Sequence, residues 1–392
     1  VDTKRKQVAE LGVIFLARTS VSLPVRVTYP FLPAISRGLG VSLAAASTLV
    51  SVRSLTGVGA PLFGALVDWL GERRVMLLGL ILLVAGGLLT AGLPGYGVAL
   101  LGFGLLGLAK SAYDPAMQAY IGRQVPYERR GRALGIVELS WSATWLSMPL
   151  SGWLIENVNW RMPFFIFAAL GVLVWWLIRR VIPVTSGRKA EAEGEGARLA
   201  SLTAGLDIWR DRQAWLALSV TGLLMLAQDN LIVVYGAWME DTFGLTVTAL
   251  GLVSLLIGLA ETTAELGAAF FSDRIGKRRG VFLGLVFAAL GYLILPRLTG
   301  GLGLALLGLM MVILAFEFSV VCLIPLVSGL SATSRGTLMS FNVAAFSAGR
   351  MFAAPLAVAL YRPGDLTRNG LLSALICVGL MGLLSFVDER GH

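Results

Sequence analysis

Histidine is almost missing from this chain of 392 residues: its one copy is His392. A histidine proton relay and a histidine-ligated metal centre are therefore excluded from the body of the sequence. Cysteine is nearly as scarce. The two copies, Cys322 and Cys377, have no metal-like spacing and imply no disulfide framework. Charge is in short supply too, at 14% of residues against 56% hydrophobic, with a mean hydropathy of +0.79. Such a composition is far too apolar for one water-soluble core, so the chain must use lipid as its solvent. Nothing at its start reads as a cleaved signal, because the short basic stretch Val1–Gln7 runs straight into a long apolar run.

What is present in quantity is long apolar runs. They recur along the whole length, and twelve spans are expected: 8–35, 43–67, 75–94, 97–122, 132–156, 162–180, 214–239, 247–272, 280–298, 302–330, 335–361 and 368–387. The longest polar interruption, 181–213, carries Arg188, Lys189, Glu191, Glu193 and Glu195 and divides the spans six and six. The organisation expected is an N-terminal six-helix bundle (1–180), a cytoplasmic linker (181–213) and a C-terminal six-helix bundle (214–392).

Lys and Arg concentrate in the N-terminal stretch and in the loops after even-numbered spans. The opposite loops hold Arg37, Arg161, Arg297, Arg362 and Arg368. Cytoplasmic loops retain the excess of basic residues, so both termini are expected in the cytoplasm and the protein in the inner, cytoplasmic membrane. The formal charge of +9 then reads as topology. Basic residues dispersed over many short loops do not build a nucleic-acid surface, and no nucleic-acid partner is expected.

The two halves repeat local signals. After span 2 comes Gly64-Ala-Leu-Val-Asp68-Trp-Leu-Gly71-Glu-Arg73-Arg74, and after span 8 comes Ala269-Phe-Phe-Ser-Asp273-Arg274-Ile-Gly276-Lys277-Arg278-Arg279. Arg130-Gly131 precedes span 5, which carries Ser142 and Pro149; Arg335-Gly336 precedes span 11, which carries Ser347 and Pro355. Matching signals at matching places argue for duplicated halves, a common transporter architecture.

The Gly-x-x-x-Asp-x-x-Gly-x-Arg-Arg string and its second copy resemble the cytoplasmic motif of the major facilitator superfamily, and the resemblance extends over essentially the whole chain. Trp69 and Glu72 stand where that family usually has basic residues, and Ala269 where a glycine is common. The resemblance implies an all-α membrane protein of twelve transmembrane helices in two pseudo-symmetric six-helix bundles, working by alternating access. A carboxylate is stabilised beside a helix N-terminus. In a six-plus-six arrangement Asp68 should approach the start of span 11 and Asp273 the start of span 5, with Arg73, Arg74 and Arg274 completing the gating set.

Eleven ionisable residues sit inside the apolar runs: Arg18, Arg26, Arg53, Lys110, Asp114, Glu138, Asp229, Glu261, Glu265, Glu317 and Arg350. A charge at the bilayer centre costs at least about 2.5–3.5 kcal/mol, so each needs a partner or water. The N-half is predominantly cationic and the C-half acidic. Arg18, Ser22 and Arg26 recur every four residues along one helical stripe, while Pro24, Pro30 and Pro33 should bend its outer part. Lys110 and Asp114 are one turn apart and either neutralise one another or serve the site. Glu138 suits a pair with the basic cytoplasmic rim. Arg350 suits a bridge to Glu317 or Glu265.

Asp229, between Gln228 and Asn230, makes a polar triplet in mid-span that should abut a cavity and be partly unwound. Glu261 and Glu265 are like charges one turn apart, so repulsion favours holding a proton between them. Proton coupling is accordingly expected at Asp229, Glu261, Glu265, Glu317 and Asp114, with sodium as the alternative ion and no cofactor or bound metal. Substrate contacts are expected from Arg18, Arg26, Arg53, Lys110, Tyr29, Tyr113, Glu138, Trp141, Trp145, Asn230 and Arg350. Trp160, Trp215 and Trp238, at span ends, read as interfacial anchors.

The function expected is proton-coupled secondary transport of a small organic or amphiphilic substrate by a monomer, as an exporter. Of the glycine-rich string typical of antiporters in span 5, Pro149 and Gly152 remain, with Met148 in place of the glycine. Uptake of an organic anion and translocation of a lipid or lysolipid are the transport alternatives. A non-transporting sensor is the alternative outside transport, and no nucleophile or catalytic constellation suggests an enzyme.

Overall fold

The computed structural model describes residues 2–125, 127–184, 211–330 and 335–387. Most of the stretch 181–213 lies outside them. Among the described residues the chain is helical, with one isolated antiparallel bridge between Arg362 and Asp365. It divides into two compact units, Val1–Ala192 and Glu193–His392.

The first unit opens with α1 (Asp2–Thr28) and α2 (Leu32–Leu39). The bend between them falls among Pro24, Pro30 and Pro33, where missing backbone donors end the first helix and a proline suits the first turn of the second. Next come α3 (Leu43–Val58) and α4 (Ala60–Leu70). Ser42 starts α3 by accepting the Ala45 N–H through its hydroxyl at 3.1 Å, an N-cap contact. The unit continues with α5 (Glu72–Gly92), α6 (Tyr96–Gln124), α7 (Tyr127–Ala143), α8 (Met148–Asn157) and α9 (Met162–Val181). A 3-10 turn, Thr144–Ser147, separates α7 from α8. Pro149 explains it: the ring cannot donate, and it crowds the carbonyl four residues back, at Trp145.

The second unit holds α10 (Arg212–Ile232), α11 (Tyr235–Phe243), α12 (Val247–Ile275), α13 (Lys277–Ile294), α14 (Leu302–Ser328), α15 (Arg335–Leu360) and α16 (Thr367–Leu384). Among the described residues ten helices are long and apolar enough to cross a membrane, counting α10 with α11 as one, or up to eleven if the bent pair α2–α3 is one span. The second and fifth expected spans do not qualify as single helices because α3–α4 and α7–α8 are each interrupted, which brings the architecture close to twelve spans.

Within each unit small residues allow close approach, as is usual where lipid provides no hydrophobic drive between helices. Where α5 crosses α6, a Cβ on Gly86 would stand 2.8 Å from the Gly102 carbonyl oxygen, so any side chain there would push the two helices apart. Trp160 and Trp238, expected as interfacial anchors, are instead buried: Trp160 packs edge-on to Phe164, and Trp238 edge-on to Phe243. Trp215 is exposed, as an anchor should be.

Candidate functional site

In the first unit the intramembrane charges converge from α1, α6 and α7. Arg18 is buried and donates from Nη2 to Glu138 Oε2 at 2.7 Å and from Nη1 to the Val137 carbonyl at 2.9 Å. Its Nε lies 3.7 Å from Asp114 Oδ1. Lys110 donates to Asp114 Oδ2 at 2.7 Å and to the Ser22 hydroxyl at 3.2 Å. Asp114 thus serves two cations, and the Lys110–Asp114 pair is part of a wider network. Glu138 pairs with Arg18, which corrects the expected contact with the cytoplasmic rim: one side of α7 faces the Arg18–Ser22–Arg26 stripe.

The same stripe carries Arg26 into an aromatic box. Its guanidinium carbon stands 3.9 Å from the Trp141 ring centre and 4.4 Å from that of Trp145. Trp141, in α7, and Trp145, in the 3-10 turn, are four residues apart, so both rings fall on the side of the span that meets Arg26. Lys110 Nζ is 5.0 Å from the Trp141 ring. Arg53, on α3, donates to the Val25 carbonyl at 3.1 Å and lies 5.1 Å from the Tyr29 ring. Cations over aromatic faces gain about 2 kcal/mol or more when desolvated. Tyr113 stands apart from the box: it is fully buried and its hydroxyl donates to the Ile14 carbonyl at 3.3 Å.

In the second unit Arg350 faces Asp229, Nε to Oδ2 at 3.8 Å, a partner other than the Glu317 or Glu265 expected from the sequence. The polar triplet is not unwound. It lies within α10, whose end comes at Ile232, and all three side chains are buried. Gln228 accepts from the Tyr292 hydroxyl at 2.7 Å. Asn230 donates to the Asn369 carbonyl at 2.9 Å and to Ser373 at 3.0 Å, while Asn369 donates back to the Asn230 carbonyl at 3.0 Å. This reciprocal amide pair ties α10 to α16, so the Asn230 side chain, expected at the substrate, is occupied in holding the bundle together.

Glu261 and Glu265 on α12 meet Glu317 on α14, with one carboxylate oxygen from each within 4.8 Å of the others. Glu261 is buried. Three hard-oxygen donors at this spacing suit a proton or a hard cation.

The expected gating residues divide. The side chains of Asp68, Asp273 and Arg274 lie outside the described residues. Arg73 is described, and so is Arg278, its counterpart in the second copy of the motif. Gly71 and Gly276 have φ of +84° and +91°, a conformation that other residues rarely adopt, and each turns the chain abruptly into the next helix. The arginines that follow sit in a first turn, the wrong end of a helix dipole for a cation. Each reaches instead to the carboxyl end of another helix of its unit: Arg73 Nη2 donates to the Arg179 carbonyl at 2.5 Å, and Arg278 Nη2 to the Ser385 carbonyl at 2.7 Å. Arg74 is exposed at the start of α5, whereas Glu72, the departure from the family's pattern, lies 3.0 Å from Arg123 of α6. Sequence reasoning missed these caps, although the matched arginines in both copies were their visible signal.

Apolar helices of membrane-crossing length, with buried ion networks inside each of two units, define a multi-pass membrane transporter. The Major Facilitator Superfamily model matches residues 13–235 and 217–392, and the chain belongs to that family. Among curated relatives it is 27% identical over 362 residues to the uncharacterized MFS-type transporter YwfA of Bacillus subtilis, covering 91% of this chain and 85% of that protein. It is 22% identical to Multidrug resistance protein 2 of the same organism, covering 90% and 87%. A crystal structure of the peptide transporter POT in complex with sulfate matches with a TM-score of 0.77 at 17% identity, over 96% of this chain and 94% of that one, which shows the shared fold.

Proposed function

We propose that this protein exports amphiphilic organic anions across the cytoplasmic membrane in exchange for protons, by alternating access with both termini in the cytoplasm. The observation that carries the substrate class is the Arg26 guanidinium set over Trp141 and Trp145 at 3.9 and 4.4 Å. An anionic group can bind that cation while its apolar body lies against the indoles. Charge supports the reading: the first unit's spans hold four cations, Arg18, Arg26, Arg53 and Lys110, against Asp114 and Glu138. The acidic trio Glu261, Glu265 and Glu317 supplies groups that can take up and release protons. The export direction is supported by the relative named Multidrug resistance protein 2.

Reconstituted vesicles with an imposed pH gradient test this with a matched panel: an aromatic carboxylate, its neutral amide and its ammonium analogue. The carboxylate should move with the proton gradient, and Arg26→Gln should slow it about tenfold or more, a loss of one charge-assisted contact. Preference for the ammonium analogue would overturn the substrate class, and movement driven by sodium alone would overturn the coupling ion.

A further inference from the structure

Glu138, Trp141 and Trp145 are spaced three and four residues apart, so they form a row along one side of α7 and the 3-10 turn that follows it. The row matches the stripe on α1. Arg18 meets Glu138 at 2.7 Å, and Arg26, two turns further along, meets the indoles at 3.9 and 4.4 Å. At about 1.5 Å per residue, Arg18 to Arg26 covers about 12 Å and Glu138 to Trp145 about 10 Å, so the two rows run in register.

Members of the rows differ in their exposure. Arg18 and Trp145 are buried, Arg26 and Trp141 are partly exposed, and the Glu138 side chain is 55% exposed. The side that water reaches therefore has a cation at one end, an aromatic face in the middle and a carboxylate at the other end. Arg18 engages Glu138 through Oε2, and a carboxylate has two oxygens with sites for several donors. Glu138 is thus an acceptor whose negative charge is already compensated, so it can lie beside an anionic substrate without expelling it. Asp114, the other carboxylate of this network, accepts from Lys110 at 2.7 Å and is only 23% exposed.

Resting on the anion reading above, we propose that Glu138 sets specificity within that class. The preferred substrate carries a hydrogen-bond donor, a hydroxyl or N–H, about 8–12 Å from its anionic group, with a flat apolar body between them. The anion lies at Arg26, the body crosses the Trp141 ring, and the donor reaches the Glu138 carboxylate. A plain aryl acid leaves that carboxylate to water. An acid with an ether oxygen in place of the donor sets acceptor against acceptor and loses the contact.

Calorimetric titration of the purified full chain in detergent tests this with cinnamate, 4-hydroxycinnamate and 4-methoxycinnamate, at neutral pH, where the phenol keeps its proton. The 4-hydroxy compound should bind about tenfold more tightly than the 4-methoxy compound, as a hydrogen bond to a charged acceptor predicts. Glu138→Gln keeps an acceptor but removes its charge, and should cut that ratio to about threefold. Glu138→Ala should bring it to about one. If Glu138→Ala does not fold, the Gln variant decides. A residue that serves only to hold Arg18 would shift the affinities of all three probes together and leave the ratio where it was. Equal binding of the 4-hydroxy and 4-methoxy compounds, or a ratio unchanged by Glu138→Gln, would therefore overturn the proposal. Arg26→Gln separates this result from the reading beneath it. Binding of cinnamate that ignores Arg26→Gln, or no binding of any probe, overturns the anion reading and the proposal with it.

Discussion

Asp229 sits beside Arg350 in a setting where neither charge can be left alone cheaply. The Asp229 side chain is 5% exposed and that of Arg350 27%, so removing the carboxylate takes a compensating charge from a cation that water reaches only in part. Breaking a buried pair costs about 3–5 kcal/mol, and the exposure of Arg350 brings the expectation here down to about 2 kcal/mol. Asp229→Asn should therefore lower stability by about that much, and Asp229→Asn with Arg350→Gln should recover most of it. A denaturation cycle over the four proteins measures this directly; additive losses would mean that the two side chains do not sense one another. The case also shows what sequence can and cannot read at this scale. That Arg18, Lys110, Asp114 and Asp229 must be compensated follows from their depth in apolar runs, and depth is fixed by counting residues. Which partner compensates them depends on how each helix is rotated about its axis relative to another far away in the chain. Glu138 therefore turns out to face Arg18, and Arg350 to face Asp229, where residue spacing alone suggests other pairs. The Trp141–Arg26–Trp145 box needs two such rotations to be known together.

Among elements, the breaks are the informative features. Pro149 makes the interruption of the fifth span legible, and the cluster of Pro24, Pro30 and Pro33 does the same for the first. The stop at Gly59 has a comparable signal in Pro61, which sits in the first turn of α4, whereas the continuity of α10 through Gln228, Asp229 and Asn230 runs against the expectation that three polar residues unwind a span. Their donors and acceptors find partners inside the bundle, on Tyr292, Arg350 and Asn369, so the helix has no need to open. The start of α16 shows the opposite case, an end built by a charged side chain in a loop. Hydrogen bonds from the Thr367 hydroxyl and from its backbone N–H, the latter at 2.8 Å, hold the Asp365 carboxyl below the usual aspartate range. A depressed value in the folded state means the contribution is present above the ordinary value of about 3.9 and is lost as pH falls through the lower, folded value. Amide exchange over Thr367–Gly370, corrected for its intrinsic rate, should therefore be constant from neutral pH down to about 4 and rise below that. Asp365→Asn should abolish this acid-dependent rise, and its persistence in the variant would assign the fraying to another group.

For the molecule as a whole, the division of labour between the units is one of charge. The first unit concentrates cations and aromatic rings, which suits holding an anion; the second concentrates carboxylates, which suits trading protons. Repulsion within Glu261, Glu265 and Glu317 rises steeply if all three are ionised, since carboxylates this close cannot share a site without a proton or a cation between them. Glu317 reaches the other two from a different helix, α14 against α12, so the trio joins two elements and its protonation bears on how they pack. Replacing Glu317 by Gln removes one charge while keeping the shape and the hydrogen-bonding capacity of the side chain. The remaining pair, Glu261 and Glu265, is then left without the carboxylate that joined it from α14. In vesicles the Glu317→Gln protein should show a flattened dependence of transport on the pH gradient, with gradient-driven movement falling about tenfold, equivalent to about 1.4 kcal/mol of lost coupling. Exchange of substrate across the membrane without a gradient should fall much less, because that reaction requires no net proton movement. Equal losses in the two assays would show that Glu317 matters for folding or substrate and would take proton coupling away from this cluster. The carboxylates would then be candidates for sodium, which the same vesicles test by exchanging the proton gradient for a sodium gradient.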